Sequence, residues 1–215
     1  MLQKVEAILF DLDGTLWNSS PEIQKTWNEV LARHPECNRG PITEEELAGC
    51  FGLPMTEIAK KLFYHNNEEE QKVLMDECCV AENTYLATYG ATLFPELEET
   101  LAALKKEYKL FVVSNCQAGY IESFIKAHKL EAYFDDIECW GNNFLPKGEN
   151  NKLIMQRNGI TRAVYVGDTA GDEQSARVAE IPFVFAAYGF GEAIAPDYTI
   201  NEFKELPRLM EEIFV

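Results

Sequence analysis

The chain is short of positive charge, of histidine and of long apolar runs. Nineteen Lys and Arg stand against 36 Asp and Glu, giving a formal net charge of −17. That excess repels polyanions and argues against nucleic acid or an anionic membrane as partner. A small anionic substrate stays compatible, because a bound cation and one Lys reverse the field locally. The three His, at 34, 65 and 128, lack metal-ligand spacing and receive no chemistry. Nothing reaches the roughly 18 consecutive apolar residues of a membrane span. The opening Met1-Leu2-Gln3-Lys4 and the apolar run at 5–10, broken by Glu6, are too short for a secretory signal. No CxxC occurs among the six Cys, whose irregular spacing does not suit a disulfide framework. Reduced thiols and a cytoplasmic location are therefore expected. Internal repeats and low-complexity tracts are lacking too.

What is present is the composition of an ordinary globular protein, 47% hydrophobic and 26% charged over 215 residues. That length suits one ample domain, or a core with a modest second one. Short runs rich in Val, Ile and Phe at 5–10, 110–113, 163–166 and 182–187 read as buried strands, with weaker candidates at 137–140 and 198–200. Helical patterns at 96–108, 120–130 and 151–158 lie between them, the last stopped by Gly159. Strands alternating with helices predict right-handed crossovers and an α/β fold, a doubly wound, mostly parallel, Rossmann-like sheet. Residues 19–91 break the alternation. Ser20-Pro21 reads as an N-cap followed by proline in the first helical position. Helices are expected at 22–33, 43–50, 55–64 and 68–89, with no strand among them and Glu68-Glu69-Glu70 as a solvated helix start. This stretch reads as a small all-helical domain over the sheet edge, inserted in a core formed by 1–18 and 92–215.

Three strand ends carry polar groups. The first strand runs into Asp11-Leu12-Asp13-Gly14-Thr15, and alternation lets Asp11 and Asp13 point the same way at its carboxyl end. Doubly wound sheets place ligands there. A plain Asp-Gly turn is the competing reading, but two adjacent carboxylates call for a cation or a shared proton. The second strand ends in Ser114-Asn115, which either caps the next helix or donates hydrogen bonds to a phosphate. A later one leads into Gly167-Asp168-Thr169-Ala170-Gly171-Asp172. Hard oxygen ligands from separate strand ends suit Mg²⁺. Lys147, in Pro146-Lys147-Gly148, is by itself as compatible with a solvated surface charge.

Together DLDGT, VVSN, PKG and GDTAGD resemble, in order, the four motifs of the haloacid dehalogenase superfamily, and the resemblance covers the whole chain. The helical insertion looks like that family's cap. The loop from Gly49 to Pro54, with Gly52 at its centre, resembles the substrate-selecting cap loop of the phosphoglycolate phosphatase-like branch. The resemblance implies a Mg²⁺-dependent phosphatase acting on a small phosphorylated metabolite, as a monomer or homodimer. Asp11 would be the nucleophile and Asp13 the general acid and base. Ser114, Asn115 and Lys147 would hold the phosphoryl group, with Thr15 and Gly52 in the substrate site. The metal would be bound by the Asp11 carboxylate, the Asp13 backbone carbonyl and Asp168, with Asp172 as a ligand or one step behind.

Asp13 discriminates within the family, since dehalogenases lack this second carboxylate. A phosphosugar mutase similar to β-phosphoglucomutase stays open. A phospho-acceptor signalling domain fits less well, because its phosphorylated Asp follows a later strand, and a silent binding protein is disfavoured by the filled catalytic positions. Relatives often carry Asp-Ser where this chain has Leu16-Trp17-Asn18-Ser19. Trp17 is left as either part of the site entrance or a packing residue.

Overall fold

A computed structural model describes residues 5–213. Residues 1–4 and 214–215, with the reading of Met1 to Lys4 and the extreme ends of the expected core, lie outside the described residues. The elements follow in chain order as β1 (Ala7–Phe10), β2 (Trp17–Asn18), α1 (Ser20–Leu31), α2 (Glu44–Ala48), α3 (Met55–Leu62), α4 (Glu68–Tyr89), β3 (Thr92–Leu93), α5 (Leu97–Leu104) and β4 (Lys109–Ser114). Then come α6 (Tyr120–His128), β5 (Asp136–Cys139), α7 (Trp140–Asn143), α8 (Lys147–Arg157), β6 (Ala163–Gly167), α9 (Ala170–Val178), β7 (Phe183–Ala186), β8 (Tyr198–Ile200) and α10 (Leu206–Ile213).

Six strands form one sheet in the order β5-β4-β1-β6-β7-β8, and every pair in it is parallel. The chain builds outward from β1 to β4 and β5, then crosses to the other side for β6. Beside β1 the winding therefore reverses, and the carboxyl ends there open into a crevice. Alternation along the strands feeds two cores. Ile8, Phe10, Leu110, Val112, Val164 and Val166 join one core, with Leu101 of α5, Phe124 of α6 and Met210 of α10. Ala7, Leu9, Phe111, Val113 and Tyr165 face the other, against Ile154 of α8 and Ala176 of α9. The expected fold class is what forms.

Among the described residues, 19–91 contains no strand, as expected. Its longest helix, α4, is started by a capping box: Asn67 accepts from the Glu69 and Glu70 amides, and Glu70 reaches back to the Asn67 amide. Three Glu in that first turn also suit the positive end of the helix dipole. α4 packs on α1 and on α6, so the helical segment shares one continuous core with a face of the sheet. A feature not expected is the antiparallel pair β2 and β3, which ties the point where the chain leaves for the helices to the point where it returns.

Two local readings change. α1 begins at Ser20 and its N-cap is Ser19, whose side chain makes no capping bond. The hydroxyl read as a cap on neighbouring Ser20 has no such task, because Pro21 fixes the helix start without it. Trp17 is a packing residue: it is fully buried, edge-on against Tyr120 and Phe124 at 5.6 and 5.0 Å between ring centres.

Candidate active site

Asp11, Asp13, Ser114, Asn115, Lys147, Asp168 and Asp172 gather at the carboxyl ends of β1, β4 and β6. Asp11 directly follows β1, its amide donating to the Val166 carbonyl of β6 (2.9 Å). Lys147 is the first residue of α8, after Pro146. Gly148 lets that helix sit close to α9, for a Cβ there would come within 2.7 Å of Val178. So placed, the Lys147 ammonium donates to Asp11 Oδ1 and Asp172 Oδ1, at 2.7 Å each. All three side chains are buried, which rules out the solvated surface lysine.

Asp172 also caps α9. Its Oδ2 accepts from the Thr169 amide (3.0 Å) and hydroxyl (2.6 Å). Asp168 is held otherwise: Oδ2 accepts from the Phe190 amide at 2.7 Å, while Oδ1 is buried without a partner. Gly14, at φ +82°, leaves room for it, since a Cβ there would sit 2.1 Å from Asp168 Oδ2. Carboxylate oxygens of Asp11, Asp168 and Asp172 lie within 4.8 Å of one another. An orphaned buried oxygen facing two further carboxylates fits a hard divalent cation.

The charges disturb one another as such crowding demands. Burial, then the Asp172 charge, raise Asp11 well above the usual carboxyl range against the pull of Lys147. Asp168 is pushed up to about 7, again by burial first and Asp172 second. Burial works against the Lys147 charge, yet Asp11 and Asp172 outweigh it and hold the ammonium firmly protonated.

Asp13 is half-buried and stands apart from that cluster. Its Oδ1 contacts Ser19 Oγ at 2.5 Å and the Tyr120 hydroxyl at 2.8 Å, and those two hydroxyls are 2.8 Å from each other. Both hydroxyls donate to that oxygen, and burial raises the Asp13 carboxyl, with Ser19, Tyr120 and Trp17 opposing.

Above these groups a cleft separates the strand ends from the helical segment. Asp11, Asp13, Ser114, Asn115 and Lys147 line its floor, and Gly52 lies in the opposite wall. Ser114 and Asn115 do not cap a helix, for α6 starts only at Tyr120. Asn115 instead donates from Nδ2 to the Gly52 carbonyl (2.8 Å), pinning the loop between α2 and α3 to the sheet end. Thr15 does not line the cleft. It is fully buried, its hydroxyl without a partner, and its carbonyl accepts from the Tyr188 hydroxyl (2.8 Å). The three His are likewise absent from the lining.

The model of haloacid dehalogenase-like hydrolases matches residues 8–186. The chain belongs to this family. The hydrolase is 25% identical over 216 residues to a plasmid-encoded phosphoglycolate phosphatase of Cupriavidus necator, covering 95% of this chain and 92% of that one. A phosphoglycolate phosphatase of Nitrosococcus oceani is 26% identical, with 99% of each chain covered. Among solved structures, a Haemophilus somnus protein described as a predicted phosphoglycolate phosphatase superposes with a TM-score of 0.83 at 23% identity, over 97% of this chain and 99% of that one. CbbY from Rhodobacter sphaeroides, solved with xylulose-1,5-bisphosphate, gives 0.75 at 19%, over 94% and 96%.

Three residues at or beside the hydrolase's cleft, Ser19, Tyr120 and Glu82, escaped the sequence reading. Ser19 and Tyr120 touch Asp13 through contacts spanning 6 and 107 residues, and each other across 101. Glu82 of α4 is 2% exposed, lines the cleft, and accepts from Trp27 Nε1 of α1 at 2.5 Å. Burial pushes its carboxyl up to about 8, with Trp27 opposing. A signal for Glu82 did exist. It occupies the third place of the four-spaced stripe Leu74, Cys78, Glu82, Leu86, all of which are buried, and an acid on an apolar stripe is out of place.

Proposed function

We propose that the hydrolase is a Mg²⁺-dependent phosphatase cleaving a small phosphate monoester through an aspartyl phosphate on Asp11. The observation that carries this reading is the division of labour between two carboxyls two residues apart. Asp11 lies against an ammonium, while Asp13 is held by the Ser19 and Tyr120 hydroxyls with its carboxyl raised by burial. Asp11 attacks phosphorus and the bond to the ester oxygen breaks as Asp13 protonates the departing alcohol. Asp13, now a carboxylate, takes a proton from the water that attacks the same phosphorus. The bond to Asp11 then breaks, phosphate leaves, and Asp13 is protonated again. Ser114, the Asn115 amide and Lys147 hold the phosphoryl oxygens where charge accumulates.

Asp11, Asp168 and the Asp13 backbone carbonyl would hold the Mg²⁺. Asp172, both of whose oxygens already accept hydrogen bonds, would position Lys147 and the metal site from behind. Bound there, the ion offsets the crowded carboxylates and the phosphoryl charge. The helices of residues 19–91 act as a cap that closes the cleft over the ester. Phosphoglycolate, in the names of several relatives, belongs to the same broad substrate class. Six free cysteines support a cytoplasmic setting, and no helix among the described residues is long and apolar enough to cross a membrane.

The test is phosphate release from p-nitrophenyl phosphate, which should require Mg²⁺ and vanish in Asp11→Asn. Activity surviving that substitution refutes the nucleophile. Asp13→Asn should slow turnover about 10²- to 10⁴-fold with Mg²⁺ affinity nearly intact; equal loss of both would mark Asp13 as a metal-site residue instead. Phosphate retained on another hydroxyl of the product would reassign the reaction to a mutase.

A further inference from the structure

The cleft is polar at one end only. Away from the strand ends its wall is made by apolar side chains such as Ile23, Trp27, Phe51, Leu53 and Ile58. One ionisable carboxyl interrupts them, that of Glu82, with Trp27 Nε1 fixing one of its oxygens and the Gln117 amide beside it. Among the described lining residues Lys147 is the one cation, and its ammonium is already shared between Asp11 and Asp172 at the phosphoryl end. The half of the cleft left for the alcohol therefore offers acids and apolar surface, with no cation to receive an acid.

A substrate carboxylate in that half would lose its water and gain no counter-charge. Isolated buried anions are strongly disfavoured, and above about pH 8, where Glu82 ionises, like charges set against each other weaken binding further. A hydroxyl or amine has the opposite relation to the same wall, because the Glu82 carboxyl can accept its hydrogen bond whichever form it takes. We infer that the cleft selects a phosphate ester whose alcohol carries a hydrogen-bond donor and no negative charge, with Glu82 as the residue that reads it. This rests on the phosphatase reading above, and it parts the chain from the carboxylate-bearing ester in its relatives' names.

The test compares three two-carbon esters on the same Mg²⁺-loaded preparation: hydroxyethyl phosphate, ethyl phosphate and phosphoglycolate. In the wild type kcat/KM should be highest for hydroxyethyl phosphate and lowest for phosphoglycolate, separated by about tenfold or more. Glu82→Gln keeps an acceptor for Trp27 and removes the acid. Assayed at about pH 9, where Glu82 carries its charge, the variant should narrow the gap between hydroxyethyl phosphate and phosphoglycolate by about tenfold. Ratios within one preparation are independent of how much of a variant folds. Wild-type preference for phosphoglycolate, or a ratio unmoved by Glu82→Gln, overturns the assignment of Glu82 while p-nitrophenyl phosphate is still hydrolysed. Failure to release phosphate from any ester, p-nitrophenyl phosphate included, overturns the phosphatase reading and this inference with it.

Discussion

Replacing Lys147 by Met should expose how much of the fold's stability is invested in its site. The side chain is 5% exposed and its ammonium donates at 2.7 Å to both Asp11 and Asp172. Met keeps the aliphatic stem but leaves three mutually close carboxylates without their shared cation. Breaking a buried pair from one side costs about 3–5 kcal/mol. With a urea dependence of roughly 2–3 kcal/mol per molar for a chain of this size, the midpoint should fall by about 1–2 M. The loss should be largest at neutral pH. Asp11 and Asp168 already have raised values in the fold, Asp168 near about 7. Without the ammonium they keep their protons in the folded state to still higher pH, while the unfolded chain gives them up near about 4. Stability of the variant thus declines as pH rises from about 4 through neutrality, and near pH 5 the two proteins should approach each other. Urea unfolding followed by tryptophan fluorescence, at both pH values and with Mg²⁺ present or chelated, measures this; added Mg²⁺ should restore part of the loss. A midpoint shift below about 0.3 M at neutral pH in chelator would refute the claim that this lysine neutralises the cluster.

Two further perturbations probe the cap side of the cleft. Asn115→Ala removes the 2.8 Å bond to the Gly52 carbonyl. A contact of about 1 kcal/mol should appear as a rise in KM for p-nitrophenyl phosphate of about fivefold with kcat nearly unchanged, and an unaltered KM would show that the loop is held elsewhere. Glu82 has a folded carboxyl at about 8, above its unfolded value near about 4.3. Its contribution is therefore full below about pH 4 and lost once pH passes about 8, a swing of at most about 5 kcal/mol. Urea midpoints between pH 5 and 9 should fall less steeply in Glu82→Gln than in the wild type; parallel slopes would count against a buried, titrating Glu82.

The sheet and its carboxylates were legible because their signals are local. An apolar run ending in Asp11 or Asp168 states both the strand and the end that faces the ligand, and the strand alternation then follows from sequence spacing alone. Lys147 was readable as a motif but not as a buried group, since its burial depends on how closely α8 approaches α9. Glu82 was hidden by numbers: one acid among 36 attracts no notice until its place on the apolar stripe of α4 is counted. Ser19 and Tyr120 show the limit more sharply. Their meaning lies in a contact across 101 residues, and the helix-start reading fell on the neighbouring Ser20, so nothing local pointed to Ser19.

The short ribbon of β2 and β3 has a consequence for the chain's history. Trp17 pairs with Leu93 and Asn18 with Thr92, so everything between them departs and returns at one spot beside β1. An insertion whose ends meet is tolerated by its host, because the host's own pairing is untouched by what the insertion contains. Asp11, Lys147 and Asp168 can stay fixed while the intervening helices are lengthened, shortened or exchanged. One set of strand ends can in this way be fitted with many different covers, and new recognition can arise without any revision of the groups at the strand ends.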